Sequence, residues 1–160
     1  MYVKFIFFLF ILKFNFFFNS ISYGSSQIET LAKYAIVIDY QTNKILLNKN
    51  SDELMFPASM SKLMTAYVVF SHLLSNKITL EDTFRVSEKA WKKGGSKMFV
   101  EIGKRVSIED LLRGMIIQSG NDASIVLAEG LFGSEELFAM EMNRYAKKIG
   151  MLNTNFKNST

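Results

Sequence analysis

The 160-residue sequence contains no cysteine, one histidine, one proline and one tryptophan. Without cysteine there is no disulfide, no thiolate metal site and no cysteine nucleophile. A catalytic triad built on histidine would have to use His72, which sits among Phe70, Leu73 and Leu74 in a helical pattern and reads as an ordinary helix residue. A large excess of one charge is missing too. The formal net charge is +4, and two of the positive residues, Lys4 and Lys13, lie in an N-terminal segment without any acid. The other Lys and Arg residues are interspersed with Asp and Glu, so the chain lacks the clustered basic face that nucleic-acid binding needs. What is present, 49% hydrophobic and 21% charged residues, suffices for a packed core and is not the composition of a disordered chain.

The first segment reads as an address. Lys4 precedes the aromatic, apolar run FIFFLFILKFNFFF, and the small and polar residues NSISYGSS follow it. Basic start, apolar middle and small-residue exit is the order of a secretory signal peptide, here residues 1–24, with Ser22 and Gly24 suited to the positions before a cut near Ser25. An uncleaved anchor is the rival, but Lys13 interrupts a run already short for a full span. The expectation is export to the periplasm. Attachment to the inner membrane is left open.

Beyond the leader, Tyr34–Asp39 is β-branched and apolar, Gln41–Lys44 is a turn, and Ile45–Asn48 reads as the returning strand. The only proline, Pro57, then marks a stop just before a helix from about Met60 to Leu74. Apolar residues at three- and four-residue spacings, with others between, predict that this helix is deeply buried. Residues 81–100 mix short polar stretches with Trp91 and a Gly94-Gly95-Ser96 loop. Ser107-Ile-Glu-Asp110 predicts a capped helix start. Gln118-Ser119-Gly120-Asn121 breaks that helix, and Asp122 is placed to cap a further short helix ending near Gly130 or Gly133. Ser134–Ile149 is a third amphipathic segment that Gly150 stops. Residues 151–160 show no element of their own. A hairpin followed by helices predicts an α+β fold in one domain, residues 25–160.

Two clusters carry chemistry. In Ser59-Met60-Ser61-Lys62, a serine and a lysine three apart share one helix face, which brings an amine within reach of a hydroxyl. A neutral amine can take the proton of an otherwise weak serine nucleophile, and burial favours the neutral form. Spacing alone is a weak signal, since a capping serine with a solvated lysine looks the same. Placement directly after Pro57, at the first turn of an apolar helix, strengthens it. In Ser119-Gly120-Asn121 a hydroxyl and a carboxamide flank a glycine at a helix break, where they can face a cleft. An ordinary polar turn uses the same residue types.

The pair of motifs together, S-x-x-K and S-x-N, is the pairing found in penicillin-binding proteins and class A β-lactamases. FPASMSKLMTA around Ser59, GSKMF at 95–99, LLRGMIIQSGNDAS around Ser119 and the final GMLNTNFKNST resemble the D-alanyl-D-alanine carboxypeptidases, the low-molecular-mass penicillin-binding proteins. The resemblance runs from about Ile36 to Thr160. It implies a β-lactamase/DD-peptidase-like fold, here as the N-terminal hairpin of the sheet plus the helical subdomain. It implies Ser59 as acylated nucleophile, Lys62 as general base, Ser119 for proton relay and Asn121 for binding the substrate amide. The implied reaction removes the terminal D-alanine of a peptidoglycan stem pentapeptide through an acyl-serine, which β-lactams trap. No metal or organic cofactor is implied.

The family's third motif, Lys-Thr-Gly, is absent: after Asn121 the lysines are Lys147, Lys148 and Lys157, none followed by Thr-Gly or Ser-Gly. In the family that motif lies on a later sheet strand, binds the substrate carboxylate and supplies part of the oxyanion hole. Loss of an oxyanion donor costs about 10²–10³ in rate. The sequence therefore reads as the N-terminal part of a catalytic domain, and the 160 residues alone are expected to be weakly stable and nearly inactive. A transpeptidase would use the same residues. A class A β-lactamase would be expected to carry a Glu-x-x-Leu-Asn stretch and Ser-Asp-Asn, and has neither match here. A non-catalytic remnant or wall-binding module is the alternative of a different kind.

Overall fold

A computed structural model describes residues 28–160. The candidate leader, residues 1–24, lies outside the described residues. The chain divides into two compact units that meet between Met55 and Phe56, and each is described by itself.

In residues 28–55, strands β1 (Ala35–Ile38) and β2 (Ile45–Lys49) pair antiparallel, with Ile36 opposite Asn48 and Val37 opposite Leu47. The Gln41–Lys44 turn forms where the sequence places it. The Asp39 carboxylate accepts the Thr42 N–H at 2.8 Å, and Asn43 takes a left-handed φ of 56°, which is the local side-chain chemistry that makes Asp and Asn turn residues.

Residues 56–160 open with a single 3-10 turn, Ala58–Met60, continuous with helix α1 (Ser61–Leu74). There follow β3 (Thr83–Arg85), α2 (Glu88–Lys92), β4 (Arg105–Ser107), α3 (Ile108–Gln118), α4 (Asn121–Phe132) and α5 (Glu135–Lys148). Strands β3 and β4 pair antiparallel, with Phe84 opposite Val106. These short strands and α2 were not expected from the sequence: three residues are too few to display an alternation. The order is therefore not simply one hairpin and then helices. Serines cap three of the helices. Ser87 Oγ accepts Ala90 N–H at 3.0 Å, Ser107 Oγ accepts Asp110 N–H at 3.1 Å and Ser134 Oγ accepts Leu137 N–H at 3.2 Å. Each such cap satisfies a helix-end donor that would otherwise lack a partner.

The most buried helix is α4, not α1. All seven residues from Asp122 to Ala128 are buried. One apolar cluster joins Ile125, Val126 and Leu127 to Val69 of α1 and to Ile108, Leu111 and Met115 of α3. A second joins Val68 and Met64 of α1 to Phe138, Met142 and Ala146 of α5 and to Phe156. Adjacent Val68 and Val69 thus serve both clusters. Each fully buried side chain of this size contributes about 1.5–3 kcal/mol. The expectation of a deeply buried α1 is corrected in part: seven of its residues are buried, but Leu63 and Leu74 stay 75% and 86% exposed. A helix with apolar residues on more than one face buries only the faces that meet a partner, and α3, α4 and α5 lie against one side.

The last ten residues form no helix or strand, as expected, but side chains hold them. Asn143 Nδ2 donates to the Phe156 carbonyl at 2.8 Å, and Asn143 Oδ1 accepts Phe156 N–H at 2.7 Å. Buried Glu135 accepts both N–H and hydroxyl of Ser159 and pairs with Lys89 at 3.0 Å. Burial alone would raise the Glu135 pKa, but the bonds from Ser159 and Lys89 outweigh it and hold the carboxyl below its ordinary value.

Candidate active site

The site is built where α1 begins. Pro57 fixes the chain just ahead of the 3-10 turn, and its carbonyl accepts Met60 N–H at 3.1 Å. Ala58 is held at φ 47°, a left-handed conformation that costs a non-glycine residue about 1–2 kcal/mol. Such strain concentrates where a structure must present a particular group. The group presented is Ser59, whose side chain is exposed.

Lys62, one turn on, is buried to 7% exposure. Its Nζ lies 3.1 Å from Ser59 Oγ and 2.7 Å from Asn121 Oδ1. No carboxylate pairs with it among the described residues. Burial lowers its pKa from the ordinary lysine value, and repulsion from Lys93 lowers it further. A buried amine that lacks a counter-anion and sits within hydrogen-bond reach of a serine hydroxyl is placed to accept that hydroxyl's proton.

Asn121 is the first residue of α4. Its Nδ2 donates to the Gly94 carbonyl at 2.9 Å, and its backbone N–H donates to the Ser96 carbonyl at 2.8 Å. A carbonyl can only accept, so Nδ2 must point at Gly94 and Oδ1 must face Lys62. Gly95 is required between these contacts. It has φ +82°, and a Cβ there would lie 2.7 Å from Asn121 Nδ2. The middle residue of the motif, Gly120, is also tightly placed, though less so: a Cβ would lie 3.1 Å from the Gly114 carbonyl oxygen and 3.2 Å from Met98 N.

Of the four residues singled out in the sequence, the fold brings Ser59, Lys62 and Asn121 into one hydrogen-bonded set. Ser119 stands two residues ahead of Asn121, half-buried and left-handed at φ 57°, at the turn between α3 and α4. It takes no part in that set. His72 packs its ring edge-on against Phe132 at 5.5 Å, consistent with an ordinary helix residue. Sequence reasoning missed the work of Asp122, whose buried carboxylate accepts the N–H groups of Met98, Phe99 and Val100 at 3.0, 2.9 and 3.3 Å. The sequence suits Asp122 to a helix cap, but the cap position of α4 is Gly120 and Asp122 lies within the first turn.

Residues 22–160 match the family model described as D-alanyl-D-alanine carboxypeptidase. The chain belongs to this family. It is 45% identical over 136 residues to D-alanyl-D-alanine carboxypeptidase DacF of Bacillus subtilis, covering 85% of this chain and 35% of that protein. The crystal structure of the D-alanyl-D-alanine carboxypeptidase DacD from Francisella tularensis superposes with a TM-score of 0.79 at 41% identity, covering 84% of this chain and 33% of that one. Penicillin-binding protein D2 from Listeria monocytogenes, in its ampicillin-bound form, superposes with a TM-score of 0.71 at 29% identity, over 82% of this chain and 54% of that one. The α+β arrangement is that of the penicillin-binding fold. The chain spans about a third of the length of the first two of these carboxypeptidases.

Proposed function

We propose that this carboxypeptidase-family protein acts as a serine-type D-Ala-D-Ala carboxypeptidase on peptidoglycan stem peptides, with Ser59 as nucleophile and Lys62 as general base. The observation that carries this reading is the buried Lys62 amine, with no carboxylate partner among the described residues, 3.1 Å from Ser59 Oγ and 2.7 Å from Asn121 Oδ1. As Ser59 Oγ attacks the carbonyl carbon of the penultimate D-alanine, its proton passes to Lys62 Nζ. The carbon–nitrogen bond to the terminal D-alanine then breaks and Lys62 gives the proton to the departing amine, with the Ser119 hydroxyl in the relay role that the family resemblance implies. D-Alanine leaves, and an acyl ester on Ser59 remains. Water attacks that ester, Lys62 takes a water proton, and Ser59 recovers its hydrogen as the shortened peptide departs. Asn121 serves two partners: Oδ1 orients the Lys62 amine, and the carboxamide is offered to the substrate amide.

A β-lactam carries a strained amide, and its leaving amine stays tethered after Ser59 opens the ring. The acyl-serine therefore persists. This agrees with the relative crystallised in its ampicillin-bound form. Peptidoglycan lies outside the inner membrane, so the reading also requires export, for which the basic and apolar start of the chain is suited. The test is release of D-alanine from a stem pentapeptide by the gene product in its natural length, together with its Ser59→Ala and Lys62→Met variants. Release that persists in Ser59→Ala would overturn the assignment.

A further inference from the structure

Asp122 is 1% exposed and forms no ion pair among the described residues. Burying a carboxylate costs several kcal/mol unless hydrogen bonds compensate it. Four backbone N–H groups do so: those of Met98, Phe99 and Val100, and that of Ala123 at 2.9 Å. The first three are consecutive. They converge because Phe99 adopts a left-handed φ of 64°, which turns successive N–H groups into one concave donor set around the anion. Phe99 itself gains little burial in exchange for this conformation, since it is 82% exposed. The backbone at Phe99 is thus held by the carboxylate rather than by packing of its own side chain.

The segment so gripped runs from Gly94 to Val100 and contains no helix or strand. Its other end is fastened to Asn121, through the Gly94 and Ser96 carbonyls. Two adjacent residues at the start of α4 therefore hold the two ends of one loop. That loop fixes which way the Asn121 carboxamide faces, and the carboxamide fixes the Lys62 amine beside Ser59.

We propose that Asp122 is a positioning residue for acylation of Ser59: its carboxylate clamps the Gly94–Val100 loop, which locks Asn121 against Lys62. The proposal rests on the acyl-serine reading above. A neutral carboxamide at this place would offer one accepting oxygen and turn an N–H₂ group against N–H donors. The loop would release, and Asn121 would lose the Gly94 carbonyl that sets its orientation. A displacement of about 1 Å at a catalytic group costs about 10²-fold in rate.

The experiment measures Ser59 acylation by a fluorescent penicillin over a range of concentrations, on the gene product in its natural length. It separates the saturating rate from the half-saturating concentration, both per folded molecule. For Asp122→Asn the saturating rate is expected to fall about 10²-fold, with little change in the half-saturating concentration and faster hydrogen exchange at Met98, Phe99 and Val100. Gly95→Ala attacks the same link from the loop side without touching the carboxylate. It is expected to reproduce the loss even if Asp122→Asn fails to fold. Met142→Ala, in the second apolar cluster, lowers stability and should leave the saturating rate per folded molecule unchanged. Wild-type saturating rates in Gly95→Ala, or in a folded Asp122→Asn, overturn the clamp while leaving the function reading intact. A wild-type protein that is never acylated at Ser59 overturns the function reading itself.

Discussion

In the hairpin of residues 28–55, Ile36, Val37, Ile38, Ile45 and Leu46 each leave more than a third of their surface in solvent, whereas in residues 56–160 Ile125, Val126, Leu127, Phe138 and Met142 leave none. Both regions pair backbone groups, one in a strand ladder and the other mainly in helices with one short strand pair. Among the described residues only the second holds fully buried side chains, and burial is the dominant favourable term in folding. The same contrast explains where the chemistry can reside. A lysine is made a base by removal from water, and the helical region provides that environment at Lys62.

The comparison can be broken at several points. Replacing the buried amine has the largest expected effect: Lys62→Met should slow acylation of Ser59 by about 10²–10⁴-fold, the usual worth of a general base, measured by penicillin labelling over time. Phe138→Ala should lower stability by about 3–5 kcal/mol, read from urea unfolding. In the active site, the neutral amine is the working form, so acylation should rise with pH through the Lys62 pKa, at a pH below that of an ordinary lysine. Lys93→Ala removes a repulsion that favours the neutral form, so the rising limb should move to higher pH. A pH–rate profile of both proteins checks the sign. Ser134→Ala removes the cap of α5 and should cost about 1 kcal/mol. At the small end, Val37→Ala on the exposed hairpin should fall within about 0.5 kcal/mol. A larger loss there than at Phe138 would reverse the comparison.

Local geometry made part of this legible. Ser59 and Lys62 are three residues apart on a helix, so their proximity follows from sequence spacing. The serine cap at Ser107, the left-handed glycine ending α4 at Gly133 and the Gln41–Lys44 turn are equally local. Asn121 is 59 residues from Lys62. Only the family resemblance, not spacing, joined them. Asp122 looked like a cap, but its bonds reach back 22–24 residues to a loop with no periodicity. The burial of α1 was overestimated because apolar periodicity records which residues could be buried. Which of them are buried depends on the neighbours, and those are set by tertiary contacts. Leu63 and Leu74 are left mostly uncovered, at 75% and 86% exposure.

The central claim is that Ser59 is a nucleophile activated by Lys62. It is tested most directly by exposing the gene product in its natural length to a fluorescent penicillin and locating the adduct by peptide mass spectrometry. The account predicts a covalent adduct on the peptide carrying Ser59, abolished in Ser59→Ala and formed far more slowly in Lys62→Met. An adduct that survives Ser59→Ala, or that forms at an unchanged rate in Lys62→Met, would contradict it.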